Sequence, residues 1–375
     1  MSLGTAVKAY SLGSMNSQAP TLAQRAWLTA LAAAAAGYRV GVQVRDWTFS
    51  MGLRRVRRLP CRVVCVGNLT VGGTGKTPCT IALARWLRAR GQAVGILLRG
   101  YGRHGSGRTV VVDTRDDRTP WQAVGDEAVL LARRLPEVPV VVGADRFQAG
   151  QEALRRFRLD VLLLDDGFQH RQLHRDLDLV LVDASDPFGG GRLLPRGRLR
   201  EPVSGLRRAQ AVILTRADQA ADLPGLRRGL EQIVPGAAQV LARHRPSRLT
   251  ALAGGEERWP GTLRGQRLLA VSGIANPEGF HRTLTDLGAG LAGTLAFPDH
   301  HAYGPADVAR MRRAAEEARA DLIITTEKDA IRLSAWGEGG PTRPPVLVLW
   351  VDLEILEGAE VLEALLTQVV QGARG

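Results

Sequence analysis

The chain has 375 residues, 45% of them hydrophobic and only 5% aromatic, with a formal net charge of +13 at pH 7. That length allows a large aliphatic core or two lobes. Its three cysteines (Cys61, Cys65 and Cys79) exclude a disulfide framework, lack metal-ligand spacing and fit a reducing cytoplasm.

The charge is uneven: residues 1–62 carry nine Lys or Arg against the single acid Asp46. Residues 1–20 read as a disordered leader. From Leu22 to Val44 the pattern predicts a helix containing Trp27, Leu28, Leu31, a run of alanines and Tyr38. Only 13 residues separate Arg25 from Arg39, short of the roughly 20 apolar residues a membrane span requires. The apolar run also begins too late for a secretory signal peptide. Segment 21–58 ends in the cluster Arg54, Arg55, Arg57 and Arg58, and reads as an amphipathic helix lying at an anionic membrane surface. A helix packed on the domain with a solvated basic flank is the competing reading. No recognition-helix motif or aromatic-studded basic sheet points to nucleic acid.

The apolar strand from Val63 to Val66 then enters the glycine-rich loop Thr70-Val71-Gly72-Gly73-Thr74-Gly75, which closes on Lys76-Thr77. Glycines there let the backbone curl its N–H groups around a phosphate. Lys76 supplies a cation to the β/γ-phosphates, the Thr77 hydroxyl suits magnesium, and a helix predicted from Pro78 to Arg90 directs its positive end at the same point. Thr70 replaces the first glycine of the usual G-x-x-x-x-G-K-[ST] string. Val71 stands where dimerising ATPases of the chromosome-partitioning kind carry an additional lysine.

Short apolar runs at Ala93–Leu98, Val138–Val142, Val161–Leu164, Leu179–Val182 and Ala211–Leu214 alternate with helical patterns at Asp126–Arg134 and Arg146–Phe157. This predicts a doubly wound, mostly parallel α/β sheet of the P-loop NTPase kind over residues 59–250. The Gly-, Pro- and Arg-rich stretch Ser185–Arg208 reads as a long functional loop. Strands at Leu268–Val271, Leu322–Thr325 and Val346–Val351, with helices at Pro277–Leu287, Pro305–Ala320 and Ala359–Val370, predict a smaller α/β lobe over 251–375. The polar stretch Arg245–Arg267 is its connection.

Three further clusters carry chemistry. Asp165 and Asp166 end an apolar strand, where P-loop proteins place a magnesium-handling acid, and Gln169 and His170 share that rim. Asp126 and Glu127 follow Gly125 at a helix start, where capping alone explains an acid. Asp299-His300-His301 offers adjacent histidines that point apart, so proton handling suits them better than joint metal ligation. Thr215-Arg216-Ala217-Asp218 only faintly matches the [NT]-K-x-D guanine reader.

Together these strings resemble the tetraacyldisaccharide 4′-kinase family. The carriers are V-G-N-L-T-V-G-G-T-G-K-T-P at Val66–Pro78, R-G-Y-G-R at Arg99–Arg103, G-D-E at Gly125–Glu127 and A-D-R at Ala144–Arg146. D-D-G-F-Q-H at Asp165–His170, L-L-P-R-G-R-L-R-E-P at Leu193–Pro202, D-H-H at Asp299–His301 and T-T-E-K-D-A at Thr325–Ala330 complete the series. The resemblance implies an ATP- and Mg2+-dependent kinase acting on the 4′-hydroxyl of an acylated glucosamine disaccharide phosphate. It would work peripherally at the cytoplasmic face of the inner membrane. The family's catalytic Asp and His fall on Asp126 and His300, with Lys76 stabilising the transferring phosphoryl group. Thr77, Asp165, Asp166 and Glu201 would hold magnesium or its waters, and Tyr101, Arg146 and His170 would contact substrate. Ala128 departs from the proline usual after G-D-E. The alternatives are a P-loop kinase for another lipidic or sugar hydroxyl, and a nucleotide-dependent switch or chaperone.

Overall fold

The computed structural model describes residues 22–101, 103, 109–112, 120–252, 254–333 and 344–372. The leader expected over 1–20 lies outside them. The chain forms two compact units: Met1–Arg99 with Asp145–Arg243 and Glu354–Gly375, and Gly100–Ala144 with His244–Leu353. Both are discontinuous, whereas composition drew contiguous ones, because alternating strands and helices do not reveal which sheet an excursion of the chain joins.

The first unit is built on β1 (Arg62–Asn68), β2 (Val94–Leu98), β5 (Val161–Asp165), β6 (Leu177–Asp183), β7 (Ala211–Thr215) and the start of β8 (Ala238–Ala251). Their spatial order is β8-β7-β6-β1-β5-β2, all parallel. Continuous apolar runs such as Val161-Leu162-Leu163-Leu164 suit these strands because both faces are covered, and all four residues are fully buried. Parallel pairing sets the strand ends on one rim. Val66 faces Asp165, Asn68 faces Leu181, and Asp183 faces Thr215. Helices Lys76–Ala89, Arg146–Arg156, Leu223–Ile233 and Ala359–Gln371 belong to this unit. Asp145 starts the second of them by accepting from Phe147 N and Gln148 N, and Arg57 Nη2 grips the same carboxylate at 2.8 Å.

The N-terminal helix runs from Leu22 to Ser50, six residues beyond the expected Val44, because nothing breaks it before Gly52 (φ +71°). No described helix is long and apolar enough to cross a membrane. Its C-terminal part is docked: Val42 is buried, Tyr38 Oη donates to Arg200 O at 2.7 Å, and Arg171 Nη1 donates to Asp46 Oδ1 at 3.2 Å. Trp27, Leu28, Val40, Val44 and Trp47 remain exposed.

The second unit holds the parallel order β10 (Gly290–Ala296), β9 (Arg267–Ser272), β11 (Leu322–Thr326) and β12 (Val346–Glu357). Alternation along β9 feeds two apolar layers: Leu268 and Ala270 join Phe280 and Leu284, whereas Leu269 and Val271 join Phe297 and Met311. Residues 100–144 add the antiparallel pair β3 (Val110–Val112) and β4 (Val140–Val142), with helices Trp121–Val124 and Asp126–Arg134. Two strands were not foreseen. The later part of β8 falls where a connection was expected, since Arg243-His244-Arg245-Pro246-Ser247-Arg248 shows no apolar alternation. Strand β10 is masked by its glycines and alanines.

Candidate active site

The phosphate loop of the first unit is held from outside by its carbonyls. Arg198 Nε donates to Val71 O at 3.2 Å, Arg216 Nη1 to Gly73 O at 3.1 Å and Thr215 Oγ1 to Thr74 O at 2.9 Å. Thr70 forms an antiparallel bridge with Leu199, and Arg200 N donates to Leu69 O at 2.7 Å. Outward carbonyls suit a concave anion site, with Val71 N–H also drawn outward, to Arg198 O at 2.7 Å, and Thr74 N–H donating within the loop to Gly72 O at 3.1 Å. Gly72 (φ +115°) and Gly75 (φ +87°) take the left-handed backbone at its turns, and Gly75 leads directly into helix Lys76–Ala89. Inside the loop, buried Asn68 donates through Nδ2 to Thr74 Oγ1 at 2.9 Å and accepts from Lys76 Nζ at 3.3 Å. The lysine is therefore aimed along the loop by the protein's own groups.

Asp166 adopts φ +51° at the end of β5, and Arg200 Nη1 approaches both its oxygens at 2.8 and 2.9 Å. Lys76 Nζ lies 3.6 Å from the same carboxylate. Burial opposes its charge, but Lys76 and Arg200 together hold the carboxyl down at about 2. Asp165 is buried and accepts from Thr80 Oγ1 at 3.2 Å. No cluster of three His, Cys, Asp or Glu side chains that could cage a metal occurs among the described residues. The hydroxyl of Thr77 with the Asp165 and Asp166 carboxylates is a hard-oxygen set, chemically suited to magnesium that keeps waters and shares phosphate oxygens. Glu201 is placed differently from expectation. It is wholly buried, Oε1 accepts from Gln169 Nε2 at 2.8 Å, and Oε2 accepts from Arg208 Nη2 at 2.7 Å. Its oxygens serve protein donors and, unlike the Asp166 carboxylate, it has no exposed surface, so it braces the Gln169 turn instead of presenting a free metal ligand.

Arg146 and His170 both lie near this acidic rim. Arg146 is buried, and desolvation, with repulsion from Arg99, brings it down to about 10. His170 is brought down to about 4 by burial and by the positive Arg146, so its ring is neutral at pH 7.

A second cluster is built within the other unit. Asp126, 3% exposed, begins helix Asp126–Arg134, and its Oδ1 accepts from Glu127 N at 2.9 Å. His300 Nδ1 lies 3.0 Å from Asp126 Oδ2 and 3.2 Å from Oδ1. Arg332 Nε stands 3.4 Å from Oδ2. Burial works against the Asp126 charge, yet the His300 hydrogen bond with the Lys328 and Arg332 charges keeps its carboxyl below the ordinary value. The adjacent histidines do point apart, since His301 Nε2 meets Asp307 Oδ2 at 3.0 Å and its ring stacks on Phe297. Tyr101 is exposed, its ring centroid 5.4 Å from that of His300.

Sequence patterns missed several participants. Thr215 and Arg216, weighed as a guanine reader, brace the phosphate loop. Arg200 sits inside the expected functional loop without a signal of its own. Lys328 lies in a quoted string but had no role, and the i, i+3 spacing of Asp329 and Arg332 was the only hint of their buried pair.

A strand, glycine loop and Lys-Thr helix on a parallel sheet, with strand-end carboxylates on the same rim, define a P-loop nucleotide-dependent phosphotransferase. The family described as tetraacyldisaccharide-1-P 4′-kinase matches residues 27–371, and the chain belongs to it. The tetraacyldisaccharide 4′-kinase of Anaeromyxobacter sp. (strain K) is 45% identical over 345 residues, covering 91% of this chain and 90% of that protein. That of Pelobacter propionicus is 40% identical over 97% of this chain and 98% of its own length. Among solved structures, LpxK of Aquifex aeolicus, determined in complex with ATP, aligns at 30% identity. Its TM-score is 0.72, over 92% of this chain and 99% of that one.

Proposed function

We propose that the first unit's loop holds ATP while Asp126 accepts the proton of the sugar 4′-hydroxyl of tetraacyldisaccharide 1-phosphate. The acceptor oxygen bonds to the γ-phosphorus, the bond from that phosphorus to the β,γ-bridging oxygen breaks, and ADP leaves with that electron pair. The hydroxyl proton passes to an Asp126 oxygen. The observation that carries this reading is the buried Asp126–His300 pair, a carboxylate far better partnered than helix capping demands. A carboxyl held below its ordinary value is a weak base. That suffices for phosphoryl transfer, whose loose transition state asks mainly for positioning and charge neutralisation. Lys76, set by Asn68 and Asp166, would neutralise charge on the transferring group. Thr77 and Asp166, with Asp165 behind, would hold magnesium, which when bound shields the phosphate oxygens. Tyr101, Arg146 and His170 are assigned to the acceptor sugar phosphate.

The peripheral membrane location belongs to the same proposal. Val40, Val44 and Trp47 recur at i, i+4 and i+7 on the N-terminal helix and all are exposed, and the exposed Arg54, Arg55 and Arg58 follow in sequence while Arg57 is held by Asp145. An apolar stripe with a basic flank suits the anionic cytoplasmic leaflet in which an acylated sugar phosphate resides.

The test offers the tetraacylated disaccharide 1-phosphate, simple sugars and other lipids to the purified chain with ATP or GTP. Transfer confined to the disaccharide with ATP is expected. Nucleotide turnover without an acceptor, or preference for GTP, would favour a switch instead. Asp126→Asn should lower transfer by about a hundredfold or more while ATP binding persists; normal turnover in that variant removes Asp126 from the mechanism.

A further inference from the structure

His300 has both ring nitrogens engaged. Nδ1 faces Asp126, and Nε2 lies 3.2 Å from Lys328 Nζ. An ammonium has three donors and no acceptor, so Nε2 must carry the lone pair in that contact. The proton then resides on Nδ1, which donates to the Asp126 carboxylate. The other arrangement has no support around Nε2: the nearest carboxylate oxygen, Asp299 Oδ2, is 3.8 Å away, beyond hydrogen-bond reach. We propose that Lys328 is a positioning residue that, with the ionised Asp126 carboxylate on the other side of the ring, fixes the tautomer of His300 and thereby aims that carboxylate.

The lysine is built to stay where it is. Its ammonium reaches Asp299 Oδ1 at 3.2 Å and Glu127 Oε1 at 3.6 Å. Burial disfavours its charge, but Glu127, Asp126 and Asp299 outweigh that and hold it above the ordinary lysine value. Its short helix, Glu327–Arg332, packs on helix Asp126–Arg134, with the buried pair Arg134–Glu327 at 2.7 Å beside it. His300 is fixed from the backbone too, at φ +60° with its N–H donating to Asp299 Oδ1 at 3.1 Å. Asp299 thus holds both the histidine backbone and the lysine head. In this arrangement the proton acceptor on the side where the two meet is Asp126, because the His300 nitrogen facing it is already protonated and the Nε2 lone pair is turned to Lys328.

The inference rests on the Asp126–His300 reading, and its test separates the two. Full-length protein labelled with 15N-histidine is observed by NMR at neutral pH without substrate, with His300 assigned by the signals lost in His300→Gln. A protonated Nδ1 and an unprotonated Nε2 are expected. Lys328→Met leaves Asp126 alone to hold the tautomer, so a population protonated on Nε2 should appear and kcat should fall up to about a hundredfold through misplacement, with KM nearly unchanged. Lys328→Gln keeps a donor and should restore both the tautomer and most of kcat. A protonated Nε2 in the unaltered protein, or the same tautomer in Lys328→Met, overturns the assignment to Lys328. Normal turnover in Asp126→Asn and His300→Gln would instead overturn the catalytic pair, while the NMR result would still stand.

Discussion

The Nε of Arg332 stands 3.4 Å from Oδ2 of Asp126, and the guanidinium it belongs to is wholly buried. Its Nη2 donates to Asp329 Oδ1 at 2.6 Å and to Gly273 O at 2.9 Å, and its Nη1 to His301 O at 3.2 Å. Asp329 also accepts from Tyr303 Oη, Gly273 N and Thr326 Oγ1. One buried ion pair therefore ties the end of β9, the His300 loop and the Lys328 helix to the candidate base. Arg332→Met leaves the Asp329 carboxylate without its guanidinium partner and should cost roughly 3–5 kcal/mol, read by urea unfolding. Arg332→Lys should recover little, since an ammonium cannot span three acceptors in the plane of the fork.

The same geometry gives a pH dependence. The folded-state carboxyl of Asp126 lies below its ordinary value of 3.8, so its ionised form contributes stability that is fully present above the unfolded value. That contribution is lost as pH falls from 3.8 through the folded value. The stability difference between the unaltered protein and Asp126→Asn should stay constant above about pH 5 and shrink progressively below it. Unfolding midpoints measured for both across the acid range check this. A difference that grew as pH fell would reverse the sign assigned to the His300, Lys328 and Arg332 contacts.

Much of this was legible in the sequence, and the residues show why the rest was not. The phosphate loop and the Asp165-Asp166 strand end are local features, each a string in which neighbours in sequence are neighbours in space. The parallel sheet follows from apolar runs too short for helices. Glu201 could not be placed the same way. Its Arg-rich loop carries no periodic pattern, and only the fold brings Gln169 and Arg208 to its two oxygens. Asp126 and His300 are 174 residues apart, and nothing in either local pattern reports their contact. The membership of 100–144 in the second unit, which makes that contact possible, is likewise a property of packing.

Gly67 tests how tightly the phosphate-loop strand is fitted to the acidic turn. A Cβ built there would stand 2.5 Å from Phe168 Cβ and 2.9 Å from Phe168 N. Phe168 is fully buried, with Arg208 over its ring, so the turn has nowhere to retreat. Gly67→Ala should destabilise the chain by about 1–3 kcal/mol through overpacking. It should also weaken ATP binding, because β1 and the Asp166 turn would be pushed apart. Calorimetric unfolding and nucleotide titration read the two effects separately. Unchanged values in both would mean that the strand and turn yield more easily than their contact distances indicate.

The N-terminal helix offers a contrast between faces of one element. Val42 is 6% exposed and docked, whereas Val40 and Val44, two positions away on either side, are 58% and 54% exposed. If the exposed stripe meets a bilayer, Val40→Glu with Trp47→Glu should sharply reduce sedimentation with vesicles rich in anionic lipid. Thermal stability should barely move, because exposed substitutions seldom shift it by more than about 0.5 kcal/mol. Val42→Glu should do the reverse and damage the fold, since it buries a charge with no partner. Raising salt should weaken vesicle binding of the unaltered protein through screening of the Arg54–Arg58 cluster, leaving an apolar component that only the stripe variants abolish. Full sedimentation of the double variant at low salt would assign the attraction to the arginines alone and leave the exposed stripe without a role at the membrane.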